Sequence, residues 1–197
     1  IVMTWWLGTE AGNAISDVLT GKYNPSGKLP VTFPKHVGQC PIYYNHKRTG
    51  RPWKPTEKYV SGYMDETALP AYPFGFGLSY TQFEIGKPTL ARNNYAINEP
   101  VTIRVRIKNT GERTGIETVQ LYLQDVVSSI TRPAIELCGT QQVKLNPGEE
   151  RWIEFELSTE VFGFYDKSEF KTEAGEFNIY VGNSSQNLQG QSFYLKK

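Results

Sequence analysis

Between Val101 and Lys108, apolar and polar residues alternate without a break. Val101, Ile103, Val105 and Ile107 take one parity, and Thr102, Arg104, Arg106 and Lys108 take the other. Successive side chains of a strand point to opposite faces, so this pattern fits a strand buried on one side and wet on the other. The stretch ends at Asn109-Thr110-Gly111, residue types that favour turns. The same alternation returns at Val119, Leu121 and Leu123, at Ile153, Phe155 and Leu157, at Phe177, Ile179 and Val181, and at Phe193 and Leu195. Asn146-Pro147-Gly148 and Ala174-Gly175 supply turns between these runs.

Six or seven short strands, with no helical stretch among them, predict a mainly β fold. The expected architecture is an antiparallel sandwich of the fibronectin type III or immunoglobulin kind over residues 86–197. Its interior should hold Val101, Ile103, Val105, Ile107, Leu121, Leu123, Phe155 and Ile179.

Residues 1–35 obey another grammar. Ile1-Val2-Met3-Thr4-Trp5-Trp6 is nearly continuous apolar sequence, the signature of a strand buried on both faces. Thr9 offers an N-cap, and Ala11, Ala14, Ile15, Val18 and Leu19 follow at helical spacing, with Gly21 placed as a C′ residue. Strand, loop and helix are half of a βαβ unit, so this part reads as the remnant of an α/β sandwich domain. An opening in the middle of an apolar run looks like a cut through a longer protein. Asn24-Pro25-Ser26-Gly27 is turn chemistry, and Leu29 to Phe33 has the composition of one more short strand.

Residues 36–85 form a long aromatic connector. Pro41, Pro52, Pro55, Pro70 and Pro73 stiffen it, and Tyr43, Tyr44, Trp53, Tyr59, Tyr63, Tyr72, Phe74, Phe76 and Tyr80 give it amphipathic rings. Flexible linkers lack such rings, so the connector should lie pasted on a surface, with Phe74, Phe76 and Tyr80 well buried.

Composition excludes several function classes. Lys+Arg (21) and Asp+Glu (20) nearly cancel and no basic run exists, which argues against a nucleic-acid partner. No apolar stretch reaches the ~20 residues of a membrane span. Cys40 and Cys138, with only His36 and His46 to join them, make a metal site improbable. They read either as two buried free thiols or as a bridge between connector and terminal domain. No cofactor is expected.

Taken together, the motifs resemble family 3 glycoside hydrolases along essentially the whole chain. Gly8-Thr9-Glu10-Ala11-Gly12-Asn13-Ala14-Ile15 with Asp17-Val18-Leu19 resembles the family's glycine-rich strand-to-helix turn near the end of its second domain. Tyr23-Asn24-Pro25-Ser26-Gly27-Lys28-Leu29-Pro30 matches its N-P-S-G-[RK]-L-P stretch, and Phe74-Gly75-Phe76-Gly77-Leu78-Ser79-Tyr80-Thr81 its F-G-[YF]-G-L-S-Y-T signature. Lys108-Asn109-Thr110-Gly111, Gln120-Leu121-Tyr122, Ser128 to Pro133 and Glu136-Leu137 resemble its terminal fibronectin-like domain. The connector around Val37 to Tyr44 and Thr49 to Pro52 is most similar to the bacterial periplasmic β-glucosidase branch. Cys138-Gly139-Thr140 departs from the family's usual Lys-Gly-Phe.

This resemblance implies a retaining hydrolase that removes terminal non-reducing β-D-glucosyl residues in carbohydrate catabolism, in a periplasmic or secreted setting. Its partners would be the remaining N-terminal domains of the parent enzyme and a β-linked oligosaccharide or glucoside. Such chemistry needs two carboxylates about 5–5.5 Å apart. In the family, an Asp on an N-terminal barrel and a Glu upstream of the present turn supply them. Neither motif occurs here, so no residue of this chain is expected to be catalytic, and the chain alone should be inactive.

Weaker candidates remain. Tyr59, Tyr63 and Asp65 have the residue types that suit the rim of a sugar site, although anchoring the connector is the commoner role for such residues. Asp65 and Glu66 are sequence neighbours whose side chains rarely converge on one bond. Glu10 suits a helix N-terminus, the glycine loop lacks the spacing of a phosphate cradle, and His36 and His46 have no nucleophile nearby. Trp152, on an outward position, is either a sugar platform or a contact for the connector. A stand-alone carbohydrate- or protein-binding sandwich is the alternative function, but such a module has no use for residues 1–80.

Overall fold

A computed structural model describes residues 1–197 and places eleven strands after one helix. The strands are β1 (Phe83–Ile85), β2 (Thr89–Leu90), β3 (Asn94–Ala96), β4 (Val101–Asn109), β5 (Gly115–Asp125), β6 (Glu136–Leu145), β7 (Glu150–Leu157), β8 (Phe164–Asp166), β9 (Glu169–Lys171), β10 (Gly175–Gly182) and β11 (Leu188–Lys196). One sheet centres on β4, with β7 on one edge and β1 and β2 in succession along the other. The second sheet runs β3-β11-β10-β5-β6, and β8–β9 is a separate hairpin. All pairings are antiparallel except β3 with β11, a parallel edge that the alternation pattern does not reveal.

The two inner faces meet in a core of 19 buried residues. All eight expected interior side chains belong to it. Full burial of such a side chain is worth roughly 1.5–3 kcal/mol, so this core dominates the stability of the chain. One end is aromatic: Phe177 stacks on Phe193 at 5.8 Å, Phe162 stands edge-on to both, and Tyr95 stands edge-on to Phe193.

Residues 1–80 differ from expectation at several points. Ile1 to Trp6 forms no strand, and Trp6 is almost fully exposed. A strand persists only where a neighbour takes up its backbone groups, and no other segment of these 197 residues runs beside it. The helix α1 (Ala11–Leu19) is capped at Glu10, not Thr9. A turn bond from the Ala11 amide to the Gly8 carbonyl forms first, and the helical series starts with the Ala14 amide on the Glu10 carbonyl. Gly21 ends the helix at φ +75°, the left-handed conformation expected there. Nothing on α1 is buried.

Leu29 to Phe33 is a broken pairing rather than a strand. The Leu29 amide donates to Phe76, Gly75 to Leu29, and Phe33 to Tyr72. Pro30, Pro34 and Pro73 lack the amides that a continuous ladder needs.

The connector is laid down only in part: Phe74 and Phe76 are half-buried rather than well buried, and Tyr43, Tyr59, Tyr63 and Tyr72 are exposed. The Tyr80 ring, expected to be buried, is exposed as well, although its hydroxyl donates to the Val18 carbonyl at 2.8 Å. It spans the gap between α1 and the β4–β5 turn, with the Arg113 guanidinium over its ring at 5.9 Å. The cysteines are unbridged, and Cys40 is exposed, contrary to the expectation of a buried pair. Cys138 donates to the Leu121 carbonyl, and burial pushes its thiol up to about 12.

Candidate functional site

The groups with the densest polar chemistry lie along the line where residues 1–80 meet the five-stranded sheet. Asn24 sits at the middle of it. Its side-chain oxygen accepts from the Ser79 hydroxyl at 2.8 Å and the Tyr80 amide at 2.7 Å, while its Nδ2 donates to the Thr114 carbonyl at 3.0 Å. One Asn thereby ties the proline turn, the glycine-aromatic signature and the β4–β5 turn together.

Lys28 deepens the attachment. Its Nζ lies 2.6 Å from Glu117 Oε1 on β5 and donates to the Gly77 carbonyl at 3.2 Å. The side chains are 13% and 6% exposed, so little water screens the pair. Paired and hydrogen-bonded, two buried charges are tolerated; either alone would be costly. The signature glycines have steric reasons. A Cβ on Gly77 would sit 2.2 Å from the Gly27 carbonyl oxygen, and Gly75, at φ +78°, lies against the Gln120 amide.

Gln120, Tyr122 and Gln124 of β5 are buried because residues from elsewhere in the chain cover their face of the sheet. Gln120 Nε2 donates to the Gly75 and Asn183 carbonyls, and its Oε1 accepts from the Tyr122 hydroxyl. Tyr44 stacks on Phe74 at 4.3 Å and stands edge-on to Tyr122 at 5.7 Å. Desolvation raises the Tyr122 phenol well above its usual range, which keeps it a neutral donor. Beyond the connector, Asn109 accepts from Thr81 Oγ1 and the Gly111 amide, and donates to the Arg113 and Leu145 carbonyls.

Further along, Gln39 is buried and fully engaged: it accepts from the Lys35 amide and donates to the Thr67 and Leu69 carbonyls. Glu66 accepts from the Thr67 amide at 2.7 Å and Lys35 Nζ at 3.1 Å, with His36 Nε2 at 3.2 Å. The amide of Thr67, then Lys35, holds its carboxyl below the usual range.

The sequence candidates fall outside this network. Tyr59 is 85% exposed on the loop between Arg51 and Ser61, with φ +63°. Tyr63 is half-exposed and Asp65 exposed. That loop closes through the Ser61 amide on the Arg51 carbonyl, and Trp53 packs against Gly62. A shallow open groove there is lined by Gly50, Arg51, Pro52, Lys54, Glu57 and Tyr59. The Glu66 carboxylate is committed to Lys35 and His36, so it forms no pair with Asp65. His46 rests against the Tyr43 carbonyl, Glu10 accepts from Asn13 Nδ2, and Trp152 lies on the other sheet. What sequence reading missed is the attachment itself. Asn24, Lys28 and Gln120 stand inside the quoted motifs, and polar residues among strand and turn residues were the available signal.

The scaffold is a fibronectin-type sandwich clamped by residues 1–80. Residues 1–80 match the Glycosyl hydrolase family 3 C-terminal domain and residues 117–185 the Fibronectin type III-like domain. The periplasmic beta-glucosidase of Salmonella typhimurium is 46% identical over 99% of this chain, which covers 26% of that protein. The thermostable beta-glucosidase B of Acetivibrio thermocellus is 39% identical over 95% of the chain, again 26% of the relative. A crystal structure of the Listeria innocua beta-glucosidase in complex with laminaribiose superposes with a TM-score of 0.93 at 43% identity, over 98% of this chain and 27% of that one. Residues 1–80 thus carry the C-terminal domain of the family 3 glycosyl hydrolases, and the chain as a whole is similar to these β-glucosidases. It spans about a quarter of the length of these relatives.

Proposed function

We propose that this chain is the structural C-terminal part of a retaining β-glucosidase that hydrolyses terminal non-reducing β-D-glucosyl residues, working in the periplasm or outside the cell. In this reading residues 1–35 complete an α/β domain, 36–85 connect, and 86–197 form the terminal sandwich. The partner is the N-terminal remainder of the enzyme, which supplies both catalytic carboxylates. The observation that carries the reading is the unpartnered apolar surface of the first segment. Ile1, Val2, Met3, Trp5, Trp6, Leu7 and Leu19 are all exposed, a density that marks an interface. The relative named for the periplasm supports the location, and no helix here is long and apolar enough to cross a membrane.

Within that assembly, Tyr59, Tyr63 and Asp65 are the residues of this chain proposed to reach the rim of the sugar site, a reading supported by their residue types and exposure. Tyr59 on the 51–61 loop and Tyr63 and Asp65 just after it are all exposed.

The test is turnover of p-nitrophenyl β-glucoside by this chain and by the whole enzyme at equal molarity. The chain alone is expected to be inactive and the whole enzyme active, because retention requires two carboxylates around one sugar. Turnover by the chain that Asp65→Ala or Glu66→Ala abolishes would overturn the reading, as would a whole enzyme inactive on every β-glycoside.

A further inference from the structure

The sandwich has two outer faces, and residues 1–80 use one. Their anchors fall at Thr114, Glu117, Gln120, Tyr122, Leu137 and Ser185, all on the five-stranded sheet or its neighbouring turns. The outer face of the β4 sheet receives none of these.

On that free face Trp152 stands opposite Arg106, with Arg104 opposite Glu154 and Lys108 opposite Glu150. The indole keeps 50% of its surface exposed. The Arg104 guanidinium lies over it at 5.7 Å from the ring centre and is fixed in turn by Glu154 at 2.8 Å. Arg106 forks between Glu84 at 2.5 Å and Glu150 at 2.9 Å. The ring is therefore held in place by its neighbours, and both arginines beside it are paired with carboxylates.

Such a face suits an uncharged ligand. A polyanion would meet Glu84, Glu150 and Glu154, a polycation would meet the three cations, and an apolar protein surface would find one ring only. A pyranose fits: its C–H face packs on the indole, while equatorial hydroxyls reach guanidinium donors and carboxylate acceptors around the rim. We propose that the Trp152 face is an accessory binding site for a neutral β-linked glucan, on the side of the sandwich turned away from the connector. The choice of glucan rests on the β-glucosidase reading above; the preference for a neutral pyranose rests on the face itself.

The test is affinity electrophoresis of the 197-residue chain in gels containing laminarin, mixed-linkage β-glucan or polygalacturonate, with circular dichroism confirming the fold. Retardation is expected in the neutral glucans only. Trp152→Ala should weaken it about tenfold, Trp152→Phe should keep part of it, and Arg104→Ala should weaken it about threefold. Aryl glucoside turnover of the whole enzyme should be the same with and without Trp152→Ala. Free migration of the unaltered chain in every neutral glucan, equal retardation of Trp152→Ala, or retardation by polygalacturonate alone would overturn the proposal. So would lost aryl glucoside turnover in Trp152→Ala, which would make the ring part of the catalytic pocket. Absence of β-glucosidase activity in the whole enzyme would defeat the earlier reading while leaving the gel result to be read independently.

Discussion

The sandwich and the first 80 residues hold together by different means. Of the 33 buried residues, residues 1–80 contribute two, Gln39 and Gly75, and neither has an apolar side chain. The sandwich interior is apolar and contiguous, and it would be nearly as complete with residues 1–80 removed. The first segment instead depends on bonds made one residue at a time: Asn24, Lys28, Gln39 and Glu66 each fix a few backbone groups. Apolar area is pooled, so the sandwich should unfold as one cooperative body. Polar ties are separate, so the connector should open piecemeal with the sandwich intact.

The sharpest way to break that comparison is to damage both regions alike. Phe193→Ala, within the aromatic cluster, should cost about 3–5 kcal/mol of global stability in urea titration. Phe33→Ala, half-buried in the first segment, should leave the global midpoint within about 1 kcal/mol. Equal losses would show that the two regions share one core.

A more local effect is expected at the buried ion pair. Lys28→Ala strands Glu117 and should cost about 3 kcal/mol of local opening. Hydrogen exchange should quicken over residues 72–80 while β4 and β11 keep their protection. The double change Lys28→Met with Glu117→Leu should restore most of it, since neither charge is then left alone. Faster exchange throughout the sandwich would contradict separate attachment.

Acid provides the smallest effect. The carboxyl of Glu66 titrates below its usual 4.5 because the Thr67 amide, then Lys35, favours the charged form. Its folded value is depressed, so the unfolded chain binds more protons within that window. The stabilisation is therefore present above about pH 4.5 and fades as pH falls through the folded value. The difference in melting temperature between the unaltered chain and Glu66→Gln should be measurable at pH 6 and shrink as pH falls below about 4.5. A difference that stays constant as pH falls through the acid range would assign the role of Glu66 to packing.

How much of this was legible depended on whether a residue's surroundings were local. The alternation at Val101–Ile107 or Phe177–Val181 reports one buried face, and both strands lie where the pattern put them. β6 gave no alternation, because most of its first half is partly covered along every residue from Glu136 to Gly139. The apolar run at Ile1 misled for the opposite reason: it records a tendency to pair, and pairing needs a partner. The attachment was half legible. The motifs Asn24 to Pro30 and Phe74 to Thr81 were visible as motifs, but their mutual contact spans about 50 residues of sequence, and no local period encodes it. Tyr59, Tyr63 and Asp65 were chosen by residue type alone, which indicates neither their exposure nor the engagement of their neighbour Glu66.

The loop that carries Tyr59 is pinned at both ends. Lys47 pairs with Pro133, the Arg51 carbonyl accepts from Ser61, and Glu66 is tied to Lys35. Residues 52–60 thus form a cassette whose length and sequence can change without disturbing the register of anything beyond it. For evolution or for an engineer, that makes the tip the inexpensive place to vary what the chain presents to its surroundings, with the clamp left untouched.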